Sequence, residues 1–373
     1  VGICMPIIVL VNAFAMLCGM GGAPRAAICM GKGDSDAAEK ILGNCTTMCI
    51  IIAVLFTVVM EIFAQPLLMA FGASADTIGY SLSYSRIYIA GTLFVMLTLG
   101  LNSFITTQGF SKISMITVVI GAVLNIGLDP LFMFAFGMGV KGAALATIIS
   151  QAVSAVWVVL FLGGKRTMLK IRLKNLRLKA KIILPCMALG LSPFIMFSTE
   201  SLITVCFNSS LQRYGGDLAV GAMTVLSSVM QFCMMPLNGL TQGAQPIISY
   251  NYGAGNRLRV KKAFKIMLIS CVVYSMLCWA LVIAIPGKVA AIFNSDPELI
   301  EYIKWPGICY LLSMGLFGVQ IGCQQTFLAL GNAKVSLFLA AFRKILLLIP
   351  LIYVVPLFVS DRCMGVFLAE PIA

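Results

Sequence analysis

The chain has 373 residues, of which 60% are hydrophobic and only 10% charged, with a mean hydropathy of +1.02 and a net charge of +13. Soluble domains average about 45–50% apolar and about 25% charged residues, so this composition excludes an ordinary soluble fold and predicts an all-α polytopic membrane protein. With no histidine in the chain, His-based acid–base chemistry and His metal sites are excluded as well.

Windows of about 20 apolar residues predict ten complete spans, near 2–30, 41–70, 77–108, 113–136, 140–162, 182–207, 218–250, 262–286, 300–330 and 335–359. An eleventh begins at "CMGVFLAEPIA", and the chain opens on Val1 already inside an apolar run. Both features predict further membrane-spanning sequence beyond each end.

In chain order, the first span closes on "GKGDSD", where Gly31 and Gly33 read as helix terminators. A phosphate-binding loop needs a lysine and Ser/Thr in a different frame, after a strand. Glu61 falls near the outer end of the second span and is expected to snorkel to the surface. The fourth span carries "NIGLDPLFMF". A charged side chain at mid-bilayer costs about 2.5–3.5 kcal/mol on insertion scales, so it ordinarily faces a bundle interior and has a task. Asn125 and Asp129, four residues apart, share one helical face. Pro130 lacks an N–H and is expected to free the carbonyl of Ile126. Oxygen ligands of this kind suit a small hard cation such as Na+ at Asp129, or a proton on the carboxylate. A structural Asp at a broken helix is the plainer alternative.

Residues 163–181, "GGKRTMLKIRLKNLRLKAK", form the most basic stretch. They read as a cytoplasmic linker, either a simple tether or in part an amphipathic helix lying on anionic lipid. The sixth predicted span, 182–207, carries a second intramembrane carboxylate, Glu200. The following span offers Met230, Phe232, Met234, Met235 and Gln242, a flexible face that suits apolar cations; core packing explains these residues equally well. Gln320, Gln324 and Gln325 lie in 300–330, and Arg343 and Lys344 are the main basic residues inside a span. The 13 cysteines include no CxxC and mostly lie in spans, Cys18, Cys233 and Cys323 among them, as small packing residues.

Between spans the basic residues alternate, seventeen on one side (Lys32, Lys40, Lys112, the eight of 165–181, the five of 257–265 and Lys334) against five on the other. The positive-inside rule makes the rich side cytoplasmic. The net charge therefore reports topology, and no nucleic-acid partner is expected.

The chain also repeats itself at an offset of 222 residues. Pro24 pairs with Pro246, Gly31 with Gly253, Gly33 with Gly255, Lys40 with Lys262, Gly109 with Gly331 and Lys112 with Lys334; "FGASADTIGY" falls on "FNSDPELIEY". The offset moves a span by six positions, so both copies face the same way, and parallel repeats are a transporter architecture. The expected organisation is an N-terminal lobe 1–162, the linker 163–181 and a C-terminal lobe 182–373. The offset maps Asp129 onto Leu351, so the lobes are chemically unequal.

The segments "PRAAICMGKGDSDAAEK", "NIGLDPLFMFAFGMGVKGAALATIISQ", "QPIISYNYGAGN" and "GVFLAEPIA" resemble the multidrug and toxic compound extrusion (MATE) family of secondary transporters. With the repeat, the resemblance covers essentially the whole chain. It implies twelve spans in two six-span lobes, with the first span and most of the twelfth outside this chain. It implies a cation site in the first lobe at Asn125, Asp129 and Thr147, completed by an acidic residue on the absent first span. It further implies a substrate or proton role for Glu200, while Gln324 and its neighbours stand where some relatives carry an aspartate.

The expectation is thus a plasma-membrane antiporter exporting organic cations, drug-like or metabolic, in exchange for Na+ or H+. Asn125, Asp129 and Thr147 would form its cation site; Glu200, Met234, Gln242 and Gln324 would line its substrate cavity. No cofactor is expected beyond the coupling ion; the partners are an amphipathic cationic small molecule and the lipid bilayer, and the protein is expected to be a monomer. A lipid-linked oligosaccharide flippase would want a strongly cationic cavity, whereas the embedded charges here are mostly carboxylates. An intramembrane enzyme such as a prenyl transferase would need paired acidic motifs, which the chain lacks.

Overall fold

The computed structural model describes residues 4–71 and 77–373, so the part of the repeat that falls on 72–76 lies outside the described residues. All regular structure among the described residues is helical. In order, α1 covers Met5–Gly31, α2 Ser35–Ala70, α3 Ile78–Ala90, α4 Thr92–Thr107, α5 Ser111–Pro130 and α6 Val140–Gly163. They are followed by α7 Ala180–Gly253, α8 Arg257–Ala284, α9 Pro286–Phe293, α10 Pro297–Tyr310, α11 Met314–Ala329, α12 Ala333–Ala341, α13 Ile349–Val354 and α14 Arg362–Ile372.

Among the described residues seven helical segments are each long and apolar enough to cross a membrane. Two bent pairs, α3 with α4 at 52° and α10 with α11 at 47°, add one span apiece. Finally, α7 is two helices, because Gly216 breaks it with φ 64° and ψ −159°, a conformation that glycine alone adopts without strain. Each of the ten predicted spans thus has a helical counterpart among the described residues, two of them bent. Short polar caps start several helices: the carboxylates of Asp34, Asp296 and Asp361 accept from the N–H groups of Ala37, Glu298 and Cys363, meeting donors that the first turn leaves unpaired.

Along α5 only Thr117 is buried, while Met115, Val118, Val123 and Ile126 are exposed. On α2 the same holds for Leu55, Val58, Ile62 and Phe63. Continuous apolar faces of this size are costly in water and are at home against hydrocarbon.

The chain divides into two compact units. The first comprises Val1–Ser198, Ser249–Asn256 and Leu330–Lys334. In it α1 packs on α2 and α4, and α6 on α3, α4 and α5. Its core includes Val11, Phe56, Tyr84 and Met96 in one cluster and Leu42, Phe104, Leu162 and Leu169 in another. The second comprises Thr199–Ile248, Arg257–Ala329 and Val335–Ala373, where α8 packs on α11 and α10 on α14.

The basic segment 163–181 differs from the amphipathic helix that composition allows. Between α6 and α7 it is an irregular, bending segment with one 3-10 turn, Leu173–Asn175. Distant side chains take up its backbone. Gln108 Oε1 accepts from Met168 N and Leu169 N, each at 2.8 Å, and from Thr167 Oγ1 at 2.7 Å. Glu39 accepts from Lys170 N at 3.4 Å and pairs with Arg172 at 2.8 Å. Asn44 Oδ1 accepts from Lys179 N at 2.7 Å, and Thr47 donates to Leu176 O at 2.6 Å. Leu169 of the strap is itself fully buried. Its charged side chains stay outside while its peptide groups are held by α2 and α4. Helix formation loses because the N–H groups it would need are already taken.

Candidate functional site

The fourth span approaches α6 through Gly142, where a Cβ would lie 2.7 Å from the carbonyl carbon of Phe132. Pro130 does not end the helix; the chain continues into one π-helical turn, Leu131–Ala135. A turn of this kind accommodates the ring and is common at functional positions. One turn before it, the Asn125 amide donates to Asp129 Oδ1 at 3.2 Å and reaches Thr147 Oγ1 on α6 at 3.5 Å, the limit of a hydrogen bond. The Thr147 hydroxyl proton goes to Ala143 O at 2.9 Å, which leaves its oxygen facing the other two groups. All three residues are half-buried.

Three residues predicted from sequence thus meet at one level, bringing a carboxylate, an amide and a hydroxyl together. Among the described residues Asp129 enters no ion pair; the carboxylates that do are Glu39, Glu61, Glu200, Glu301 and Glu370. The Asn125 NH2 lies between the Asp129 carboxylate and the Thr147 hydroxyl oxygen, two hard oxygen groups of the kind that a monovalent cation takes. Sequence reading missed Tyr84 of α3, a buried phenol within electrostatic reach of Asp129. Its signal was faint, because an aromatic in a span is ordinarily packing.

Glu200, Met234, Gln242 and Gln324, predicted to line the cavity, all lie in the second unit. Glu200 sends its carboxylate to Lys344 Nζ at 2.8 Å. Met234 is half-buried and Gln242 exposed, and Gln324 is buried and accepts from Gln320 Nε2 at 2.7 Å. A neighbouring pair joins Arg343 to Glu370 at 2.6 Å, with the guanidinium 4.6 Å from the Phe317 ring centroid. Arg343 and Lys344 were conspicuous in the sequence as basic residues inside a span, but their partners lie 27 and 144 positions away. At the rim of α2, Glu61 pairs with Arg86 at 3.6 Å, both partly exposed.

The profile of the MatE family matches residues 1–131 and 193–354. The chain is 25% identical over 300 residues to "Multidrug export protein MepA" of Staphylococcus haemolyticus, covering 80% of this chain and 66% of that protein. It is 24% identical over 355 residues to the protein of the same name from Staphylococcus saprophyticus, covering 95% and 78%. Alignment with the first of these therefore spans about two thirds of its length. Among solved structures, that of the "MATE multidrug transporter DinF-BH" is 32% identical with a TM-score of 0.90, covering 99% of this chain and 82% of that one. "MATE in complex with MaD3S" has a TM-score of 0.93 at 22% identity, covering 100% and 83%.

Proposed function

Because this chain belongs to the MatE family, as a multi-pass protein of the plasma membrane, we propose that it is a secondary antiporter exporting organic cations and drug-like compounds. The exchange is for inward Na+ or H+. The observation that carries the proposal is Asp129, a carboxylate within a membrane span that lacks a basic partner among the described residues and sits beside Asn125 and Thr147. A cation bound there neutralises the carboxylate and releases it again when the local environment changes. Relatives named as multidrug export proteins support a small-molecule substrate, and the flexible face carrying Met234 and Gln242 is compatible with an amphipathic one. The lobes 1–162 and 182–373 are the repeat copies of this transporter, acting as a monomer, with the strap 163–181 on the cytoplasmic side. The reading is one of transport, with no chemical transformation of the substrate.

The test is flux of ethidium, a fluorescent organic cation, in proteoliposomes of the purified protein under an imposed inward Na+ gradient and, separately, an inward H+ gradient. One of the two gradients should drive ethidium efflux above the gradient-free rate. Flux indifferent to both gradients would contradict antiport.

A further inference from the structure

Within the second unit four charged side chains close on one another. Glu200 of α7 pairs with Lys344 at 2.8 Å, and Glu370 of α14 pairs with Arg343 at 2.6 Å. Lys344 and Arg343 are consecutive on the π-helical segment Phe342–Leu348, and both Lys344 and Glu200 act electrostatically on Glu370. The four charges sum to zero. Lys344 and Glu370 expose only 10% of their side chains, against 58% for Glu200.

The repeat makes this quartet informative. By the 222-residue offset, the span holding Arg343 and Lys344 is the copy of the span holding Asn125 and Asp129. The oxygen ligands of the first copy fall on Leu347 and Leu351 in the second, and the two basic residues of the second fall on Gly121 and Ala122 in the first. One copy has a carboxylate with no ion-pair partner among the described residues and small residues at those two positions; the other has leucines in place of the ligands and two basic side chains.

Resting on the antiport reading above, we propose that Lys344 takes the place of a coupling cation at Glu200. The second half then binds no such cation of its own, and a single one moves per transport cycle. An ammonium at 2.8 Å supplies the charge that a bound ion would supply. It is tethered to the chain, so it contributes nothing to the driving force. Removing one partner of such a pair leaves an uncompensated charge, which must then recruit a proton or a cation.

Dicyclohexylcarbodiimide reads this directly. Its central carbon is attacked by the oxygen of a protonated carboxyl while the proton passes to a ring-bearing nitrogen, so a carboxylate held by an ammonium is spared. On the full-length protein in membranes, peptide mass spectrometry should find label at Asp129 and little at Glu200. In Lys344→Met the label at Glu200 should rise about tenfold, equivalent to about 1.4 kcal/mol of lost pairing. Lys344→Arg should return it to the wild-type level. Glu200 labelled in the wild type as heavily as Asp129 would overturn the proposal, and this reading does not depend on the Met variant folding. No rise in a folded Lys344→Met protein would overturn it equally. The kinetic order of ethidium efflux in the coupling cation should be one; an order of two also overturns it. Missing label at Asp129 with the Glu200 pattern intact counts against the first-half cation site and supports the pairing, so the two ideas fail separately.

Discussion

Gly31 and Gly253, 222 positions apart, make one contact in exchange. A Cβ on Gly31 would run into the carbonyl oxygen of Tyr250, and a Cβ on Gly253 into that of Ile28. Ile28 and Tyr250 are themselves related by the same offset. The backbones touch here because neither glycine has a side chain, the close packing that small residues permit between membrane helices. Gly31→Ala and Gly253→Ala should each destabilise the protein by about 1–3 kcal/mol through overpacking. Gly79→Ala, where a Cβ meets nothing within 4 Å, should not. Thermal unfolding of the detergent-purified variants checks this, and equal melting of all three would refute the contact.

The strap predicts a protease phenotype. Gln108→Leu keeps the approximate volume but leaves the N–H groups of Met168 and Leu169 without their acceptor, while the Thr167 hydroxyl still donates to Leu169 O. Each unsatisfied buried donor costs about 1–3 kcal/mol. Trypsin should then cut within 165–181 at least several times faster than in the wild type, with the remaining chain folded. Unchanged cleavage would show that the strap is held by other contacts.

Orientation follows from the charge bias. Leu173 is 87% exposed on the strap. In a background with the 13 native cysteines replaced, Leu173→Cys should react with a membrane-impermeant maleimide in inside-out vesicles and not in intact cells. The opposite pattern would invert the topology.

The Arg343–Glu370 pair is mostly enclosed, with side-chain exposures of 19% and 10%. Breaking a buried pair from one side costs about 3–5 kcal/mol, while removing both partners is often near neutral. Arg343→Met should therefore lower the melting temperature clearly, and Arg343→Met with Glu370→Leu should recover most of the loss. Additive losses in the double variant would mean the two side chains are not coupled.

Much of this was legible in the sequence, for physical reasons that also set the limits. The spans were readable because lipid demands long apolar runs, and hydropathy reports length. It does not report direction, so the bends beside Gly91 and between Tyr310 and Met314 were invisible. The repeat was readable at Gly33/Gly255 and Gly109/Gly331, and all four glycines have positive φ. Asn125 and Asp129 could be paired from helical periodicity, whereas Thr147 needed the family resemblance. The docking of 163–181 was not readable, since its acceptors Glu39, Asn44 and Gln108 lie 59 or more positions away. Nor was the partner of Glu200, which composition left looking like an unpaired acid.

The central claim is that Asp129 carries the coupling cation, and its most direct test is gradient-driven ethidium efflux by the Asp129→Asn variant in proteoliposomes. Asn retains the size and the hydrogen bond to Asn125 but not the charge, so insertion and folding should survive. A coupled ion pair or ion site at an effective dielectric near 20 is worth roughly 4 kcal/mol at 4 Å before desolvation, and losing even half of that reduces cation occupancy by at least about tenfold. The account predicts that ethidium still binds while gradient-driven efflux falls to the gradient-free rate. Wild-type coupling in a correctly inserted Asp129→Asn protein would contradict it.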